Sequence, residues 1–279
     1  MIRIRFFSDF CEGDCYKIFI RLSELETSDP DYNVKYSFTE GDDYTHAILL
    51  NTPMPTLSIP KENVVGIAFE PPMFLRITNT FVNYAINHIG TYLIGGVYNL
   101  PKPFKEHHGY MWHTPYKSNI EPKIGNPMSI MVSHKKNAPG HKYRHELVSK
   151  ILSSTLPIDI YGNGCKYFNT NDLRIKGEFK NDEMYDTYKY HVCIENFQTP
   201  HYFSEKITNP LICGSIPIYL GCSARYFDDM IIRLSGNIDD DFNLLKNICE
   251  TLPEPRIQDI NKVKDIINVK HLIHDYFIV

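Results

Sequence analysis

Tyr190 to Cys222 reads YHVCIENFQTPHYFSEKITNPLICGSIPIYLGC, and its punctuation sets the architecture of its half of the chain. Val192, Cys193 and Ile194 make a short apolar run ending in Glu195 and Asn196, and Ile216–Leu220 make a second, closed by Gly214 and Gly221. Runs this short, apolar throughout and bounded by turn formers, read as parallel strands buried on both faces. Between them Ser204 is placed to cap a helix whose first turn holds Glu205 and Lys206. Backbone N–H groups and an ammonium then converge where a loop leaves a strand, and such places bind anions. Pro210 has no N–H to give, and its ring crowds the carbonyl of Lys206. Either the helix kinks there or it begins near Asn209.

Working outward, the same alternation recurs. Ser129–Ser133 and Ile158–Tyr161 read as strands, with Tyr143–Ser153 and Asp182–Tyr188 as helices. Nearer the N-terminus, Ile2–Phe7, His46–Leu50 and Val64–Phe69 read as strands, and Cys15–Leu25 carries Ile18, Leu22 and Leu25 at helical spacing. Alternating strands and helices build doubly wound parallel sheets. Pro101–Pro127, rich in Pro, His, Lys and Tyr, has no sustained period and reads as a loop-rich bridge. The expected fold class is therefore α/β, with two Rossmann-like domains facing a cleft. The first spans residues 1–120 and the second 121–256. A C-terminal amphipathic segment, 257–279, places Ile260, Val263, Ile267 and His271 on one face, and by analogy with other two-domain α/β enzymes it is expected to cross back to the first domain.

A chain of 279 residues suits two ordinary domains, and 43% hydrophobic residues with 13% aromatics can bury a core in each. The net charge of −4 argues against a nucleic-acid binder, whose affinity comes mainly from clustered Lys and Arg on phosphates. Seven cysteines, most in apolar contexts such as Cys193 and Cys213, fit reduced buried thiols better than a disulfide framework. MIRIRFF lacks the features of a signal peptide, and no run approaches the roughly 20 apolar residues a spanning helix needs. A protein without a membrane anchor, in the cytoplasm, is the expectation.

The spacing of Glu195, Asn196, Tyr202, Ser204, Glu205, Lys206, Gly214, Pro217 and Gly221 resembles the donor-site signature of the alpha-1,3-fucosyltransferases, family ten of the glycosyltransferases. The resemblance extends more thinly to Arg144 after the SIMVS segment, to IDIYG at Ile158–Gly162 and to IAFEPP around Glu70. It implies the GT-B fold and an enzyme that moves fucose from GDP-fucose onto a hydroxyl of a glycan acceptor, in alpha-1,3 linkage. The lack of an anchor is similar to the bacterial and viral members. It further implies that Arg144 and Lys206 grip the phosphates, Glu205 takes the ribose hydroxyls, and Asn196 and Tyr202 line the nucleotide pocket. With side chains neutralising the diphosphate, no metal or other cofactor is expected. Two alternatives stay open: a transferase of the same fold using another nucleotide sugar, and a non-catalytic nucleotide- or glycan-binding descendant.

Sugar transfer needs a base for the acceptor proton and positive charge on the departing diphosphate. Glu70 follows the apolar run VVGIAF, at a strand end where open α/β sheets place ligands. The family resemblance makes it the general base of an inverting, single-displacement transfer; otherwise it caps the following helix. Arg144 reads equally as a solvent-facing residue of an amphipathic helix, and Lys206 as a surface lysine paired with Glu205. Asp239–Asp241 read as the acidic first turn of a helix rather than a metal motif. His107, His108 and His113 lack the spacing of a zinc site and read as loop residues, and Cys11 and Cys15 are too far apart for a redox pair. His201, beside Tyr202, is placed to contact the donor sugar.

Overall fold

The computed structural model describes residues 2–9, 17, 35–96, 99–109, 125–168, 171–180, 183–253 and 259–278. The chain divides into two units. Met1–Trp112, Thr199–Ser204 and Asn261–Val279 form the first, and His113–Gln198 with Glu205–Ile260 form the second. The boundary expected at residue 120 lies outside the described residues, as do the helix expected over Cys15–Leu25, the Cys11 and Cys15 pair, and His113.

The first unit is built on β1 (Ile2–Ser8), β2 (Tyr36–Phe38), β3 (His46–Leu50), β4 (Val64–Ile67), β5 (Thr91–Ile94) and β6 (Phe104–Glu106). They form one sheet in the order β2-β1-β3-β4-β5-β6, every neighbour parallel. The fourth strand stops at Ile67, two residues earlier than the apolar run suggests, because the N–H of Phe69 leaves the ladder for the side chain of Asn51 at 2.9 Å. Two helices follow it, α1 (Pro72–Leu75) and α2 (Asn79–His88), the second capped by Thr78, whose hydroxyl accepts from the N–H of Phe81. Phe81 and Ala85 of α2 pack with Leu49, Val64, Tyr92 and Phe104 in the core. The ring of Tyr92 occupies the space a side chain at residue 66 would need: a Cβ on Gly66 would lie 2.1 Å from it.

The second unit carries β7 (Met128–Met131), β8 (Ile158–Tyr161), β9 (Ile175–Gly177), β10 (Tyr190–Ile194), β11 (Ile216–Leu220) and β12 (Ile232–Arg233). Their order is β12-β11-β10-β7-β8-β9, again wholly parallel. Its helices are α3 (Pro139–Leu152), α4 (Glu183–Asp186), α5 (Glu205–Ile212) and α6 (Ile238–Thr251). The period-two alternation of strands sorts the side chains. Met128, Ile130, Ile158, Ile160, Tyr190, Val192, Ile194, Ile216, Ile218 and Leu220 pack with Leu147 and Ile151 of α3 and Leu245 and Ile248 of α6. The intervening residues turn the other way, where Met131 and Tyr161 join Met184, Tyr185 and Cys213.

Several boundaries moved for local reasons. The third helix starts at Pro139, ahead of the expected Tyr143: proline is preset for a first helical turn, and the N–H of Ala138 is satisfied by His141 Nδ1 at 3.2 Å. The fifth begins at Glu205 and runs through Pro210 to Ile212, so a start near Asn209 is not what the chain adopts. Asp239–Asp241 form the first turn of α6, with Asn237 as cap. The C-terminal segment is two helices rather than one, α7 (Ile260–Ile267) and α8 (Val269–Phe277), because the Asn268 side chain accepts the N–H of Lys270 and starts a second helix. Val263, Ile267, Leu272 and Ile273 are buried. Cys165, Cys193, Cys213, Cys222 and Cys249 are free thiols, the first four buried. Among the described residues no helix is long and apolar enough to cross a membrane.

Candidate functional site

The strand order of the second unit reverses between β7 and β10, and in an open α/β sheet ligands bind outside the carboxyl ends of the strands at that point. Both loops leaving these strands carry charged side chains. From β7 the chain enters α3, which delivers Arg144; from β10 it passes Glu195 and Asn196 and later enters α5, which delivers Lys206.

These residues meet. Arg144, 3% exposed, donates from its terminal nitrogen to Asn196 Oδ1 and from Nε to the carbonyl of Gly140 at 3.2 Å. Lys206 Nζ lies 3.0 Å from Glu205 Oε1 and 3.6 Å from Glu195 Oε2, whose side chain is wholly buried. Burial opposes the charge on Lys206, but Glu205 and Glu195 outweigh it and raise its pKa above the ordinary lysine value. Burial lowers that of Arg144 while the same two carboxylates support its charge. Two cations are thus held, largely out of solvent, at the sheet's ligand-binding edge. Held cations of this kind can take up charge that develops on a phosphate without reorganising.

Glycines make the approach possible. A Cβ on Gly140 would lie 1.8 Å from the carbonyl oxygen of Glu195, and one on Gly221 would lie 2.5 Å from Glu195 Cγ. The first lets α3 close on the loop after β10; the second leaves room for the buried glutamate.

Residues 124–258 match the family model of glycosyltransferase family 10 (fucosyltransferase), C-terminal part. Over these residues, just under half of its length, the chain is similar to the glycosyltransferase family 10 domain. It is similar to "Putative fucosyltransferase R654" of Acanthamoeba polyphaga mimivirus, with 32% identity over 128 residues, 44% of this chain and 20% of that protein. It is also similar to Alpha-(1,3)-fucosyltransferase B of Drosophila melanogaster, with 35% identity over 79 residues, 26% of this chain and 18% of that one. The family 10 matches therefore span about a fifth of the length of these curated relatives. In fold, the chain resembles the crystal structure of an alpha1,3-fucosyltransferase with GDP-fucose at a TM-score of 0.54 and 13% identity, covering 95% of this chain and 81% of that one. The fold class is that of the GT-B glycosyltransferases.

Within the family 10 domain, Arg144, Asn196, Glu205 and Lys206 belong to the second unit. Tyr202 groups with the first. It is buried, its N–H donates to Thr199 Oγ1 at 2.9 Å, and a Cβ on Gly95 would lie 2.5 Å from its own Cβ. His201 stands beside it, 3.7 Å from Glu106. His108 is buried, with Nε2 2.8 Å from the carbonyl oxygen of Ile266. Glu70, in the first unit, is half-buried between Phe69 and Pro71. The residue at the N-cap position of α1 is Pro71, directly after Glu70. Sequence reasoning missed Asn51, which fixes Phe69 from the end of β3, and Gly140, whose close contact needs the folded chain to appear.

Proposed function

We propose that this protein is an inverting glycosyltransferase that moves fucose from GDP-fucose onto a hydroxyl of a glycan acceptor. The observation that carries the reading is the convergence of Arg144 and Lys206 on Glu195 and Asn196 at the switch point of the second sheet. The family 10 match over residues 124–258, and the GDP-fucose bound by the solved protein of the same fold, support the choice of donor.

In this reading the acceptor oxygen attacks the anomeric carbon as Glu70 accepts its proton. The bond from that carbon to the diphosphate breaks on the opposite side, so configuration inverts. The charge that appears on the leaving diphosphate is met by Lys206 and Arg144. Glu205 holds the ribose hydroxyls, and Asn196, oriented by Arg144, and Tyr202 line the nucleotide pocket.

Incubating the protein with GDP-fucose and a panel of glycan acceptors, followed by NMR of the product, tests this. A fucosylated product with inverted anomeric configuration supports the reading. Product with retained configuration would remove the single displacement, and transfer only from another nucleotide sugar would remove fucose.

A further inference from the structure

Three lysines line one cleft of the first unit, away from the residues of the transfer reading. Lys61 lies in the turn before β4, and Lys102 and Lys105 stand on either side of Phe104, the first residue of β6. Because β4 and β6 flank β5 in a parallel sheet, the topology gathers all three at the end where those strands begin. Glu70 follows the opposite end of β4. Open α/β sheets take their main ligand outside the carboxyl ends of the strands, so this cleft is a separate place.

The cleft has a volume of about 520 Å³, the size of a small-molecule site. Ile86, Ile89, Pro103 and Phe104 give it an apolar wall, and no acidic residue lines it. Gly90 shapes it: a Cβ there would lie 2.7 Å from the carbonyl oxygen of Lys61, so a glycine lets the Lys61 turn close on the chain entering β5. On the other side the N–H of Phe104 donates to the carbonyl of Pro101 at 3.0 Å and fixes the turn that carries Lys102. Lysines gathered on one surface are ordinarily balanced by carboxylates. Here Lys61 Nζ donates to the carbonyl of Ile86 at 3.4 Å and Lys105 Nζ to the hydroxyl of Tyr276 at 3.2 Å, both neutral acceptors. Among the described residues none of the three pairs with a carboxylate.

We propose that this cleft is a second binding site, for a ligand that carries two or more phosphate groups on a ring or short chain, its body against the apolar wall and its phosphates among Lys61, Lys102 and Lys105. A lysine meets phosphate as a compact point charge with three donors, so it needs no fixed geometry to do so. One carboxylate would leave two of the three charges unmatched, whereas clustered phosphates answer all of them. A soluble polyphosphate and the headgroup of a phosphorylated inositol lipid present the same chemistry. The proposal stands independently of the donor reading.

Titration calorimetry of inositol trisphosphate and of tripolyphosphate into the full chain tests it, beside flotation with phosphatidylcholine vesicles that contain or lack phosphatidylinositol bisphosphate. Binding at one site should weaken about tenfold or more when Lys61, Lys102 and Lys105 are all changed to Gln, since each exposed charge pair is worth up to a few-fold. The same three changed to Arg should keep it, as should Lys206→Ala, which removes a cation of the donor site. If the glutamine variant does not fold, Lys102→Gln alone serves, because that side chain has no hydrogen bond or ion pair among the described residues, and a loss of a few-fold is expected. Binding of the free phosphates with this pattern assigns a soluble ligand, and binding of the vesicles alone with the same pattern assigns the lipid headgroup. No binding of any probe overturns the proposal. So does binding that is unchanged in the lysine variants, or that is lost in Lys206→Ala instead.

Discussion

The N–H of Gly140 donates to the carbonyl oxygen of Asn196 at 3.0 Å. This bond ties the first turn of α3 to the loop after β10, and the absence of a side chain on Gly140 permits it. Gly140→Ala forces a methyl group into the carbonyl of Glu195, where neither backbone can give way. A loss of about 1–3 kcal/mol in unfolding free energy is expected from such overpacking. GDP-fucose affinity should fall with it, because Arg144 and Lys206 depend on the same loop. Urea denaturation with parallel calorimetry checks both.

Lys206 and Glu195 separate a structural role from a binding one. Removing one partner of a buried ion pair costs about 3–5 kcal/mol because the other charge stays buried. Arg144 still supports Glu195, so Lys206→Met should fall at or below the lower end. The double variant Lys206→Met/Glu195→Gln should recover most of the lost stability but none of the nucleotide-sugar affinity. Recovery of binding in the double variant would show that Lys206 serves only to neutralise Glu195.

Glu70→Gln keeps the shape of the side chain and removes the proposed base. Transfer should slow by about 10²–10⁴-fold, the usual contribution of general base catalysis, with the dissociation constant for GDP-fucose unchanged. Steady-state rates beside equilibrium binding decide it. Unchanged turnover removes Glu70 from the mechanism.

Asn51 holds the backbone next to Glu70. Its φ is 64°, in the left-handed region where asparagine is tolerated, and its side chain takes the N–H of buried Phe69 at 2.9 Å. Asn51→Ala leaves that N–H without its acceptor, at about 1–3 kcal/mol. The turnover number should drop more than donor affinity, since the disturbed segment carries Glu70. Equal losses in both would contradict a local role.

Acid should weaken the fold through its buried histidines. His108 and His191 are held at about 3 and His141 at about 4, burial being the largest cause in each. All three lie below the ordinary value of about 6.5, so under that pH the unfolded chain binds more protons than the native one and stability falls with pH. Each contributes up to about 1.4 kcal/mol per pH unit between about 6.5 and its folded value. Denaturation midpoints measured from pH 7.5 to 5 should decline through this window. His191→Gln should flatten the slope, even if it lowers the midpoint throughout.

The parts of the molecule legible in the sequence are those where local pattern and tertiary need agree. His46–Leu50, Ile158–Tyr161 and Ile216–Leu220 are apolar but for His46 and Asp159 because both faces of a parallel strand are covered, and their ends match the structure. Phe104–Glu106 was hidden in a stretch rich in Pro, His and Lys, since a three-residue edge strand has too few positions to show a period. The C-terminal segment kept one apolar stripe across two helices, so the break appears only in the cap at Asn268. For the site, the spacing from Glu195 to Lys206 carries the residues proposed to hold the donor. Arg144 reads two ways in the sequence, and in the fold its guanidinium donates to Asn196. Pro210 leaves open, from sequence, a kinked helix or a start near Asn209, and the helix starts at Glu205. The proline is tolerated six residues in, within a helix of eight that is buried from Ile207 to Ile212.

The most direct test of a guanosine-diphosphate-sugar site at Arg144 and Lys206 is a thermal stabilisation series. GDP-fucose, GDP-mannose, UDP-galactose and UDP-glucose would each be added without metal to the wild type and to Lys206→Ala. A ligand at about 100 times its dissociation constant adds ~2.7 kcal/mol. GDP-fucose should stabilise the wild type more than any UDP-sugar, and the shift should vanish in Lys206→Ala. No shift with any nucleotide sugar, or an equal shift in the variant, would contradict the assignment of the site, and a shift confined to the UDP-sugars would contradict the donor.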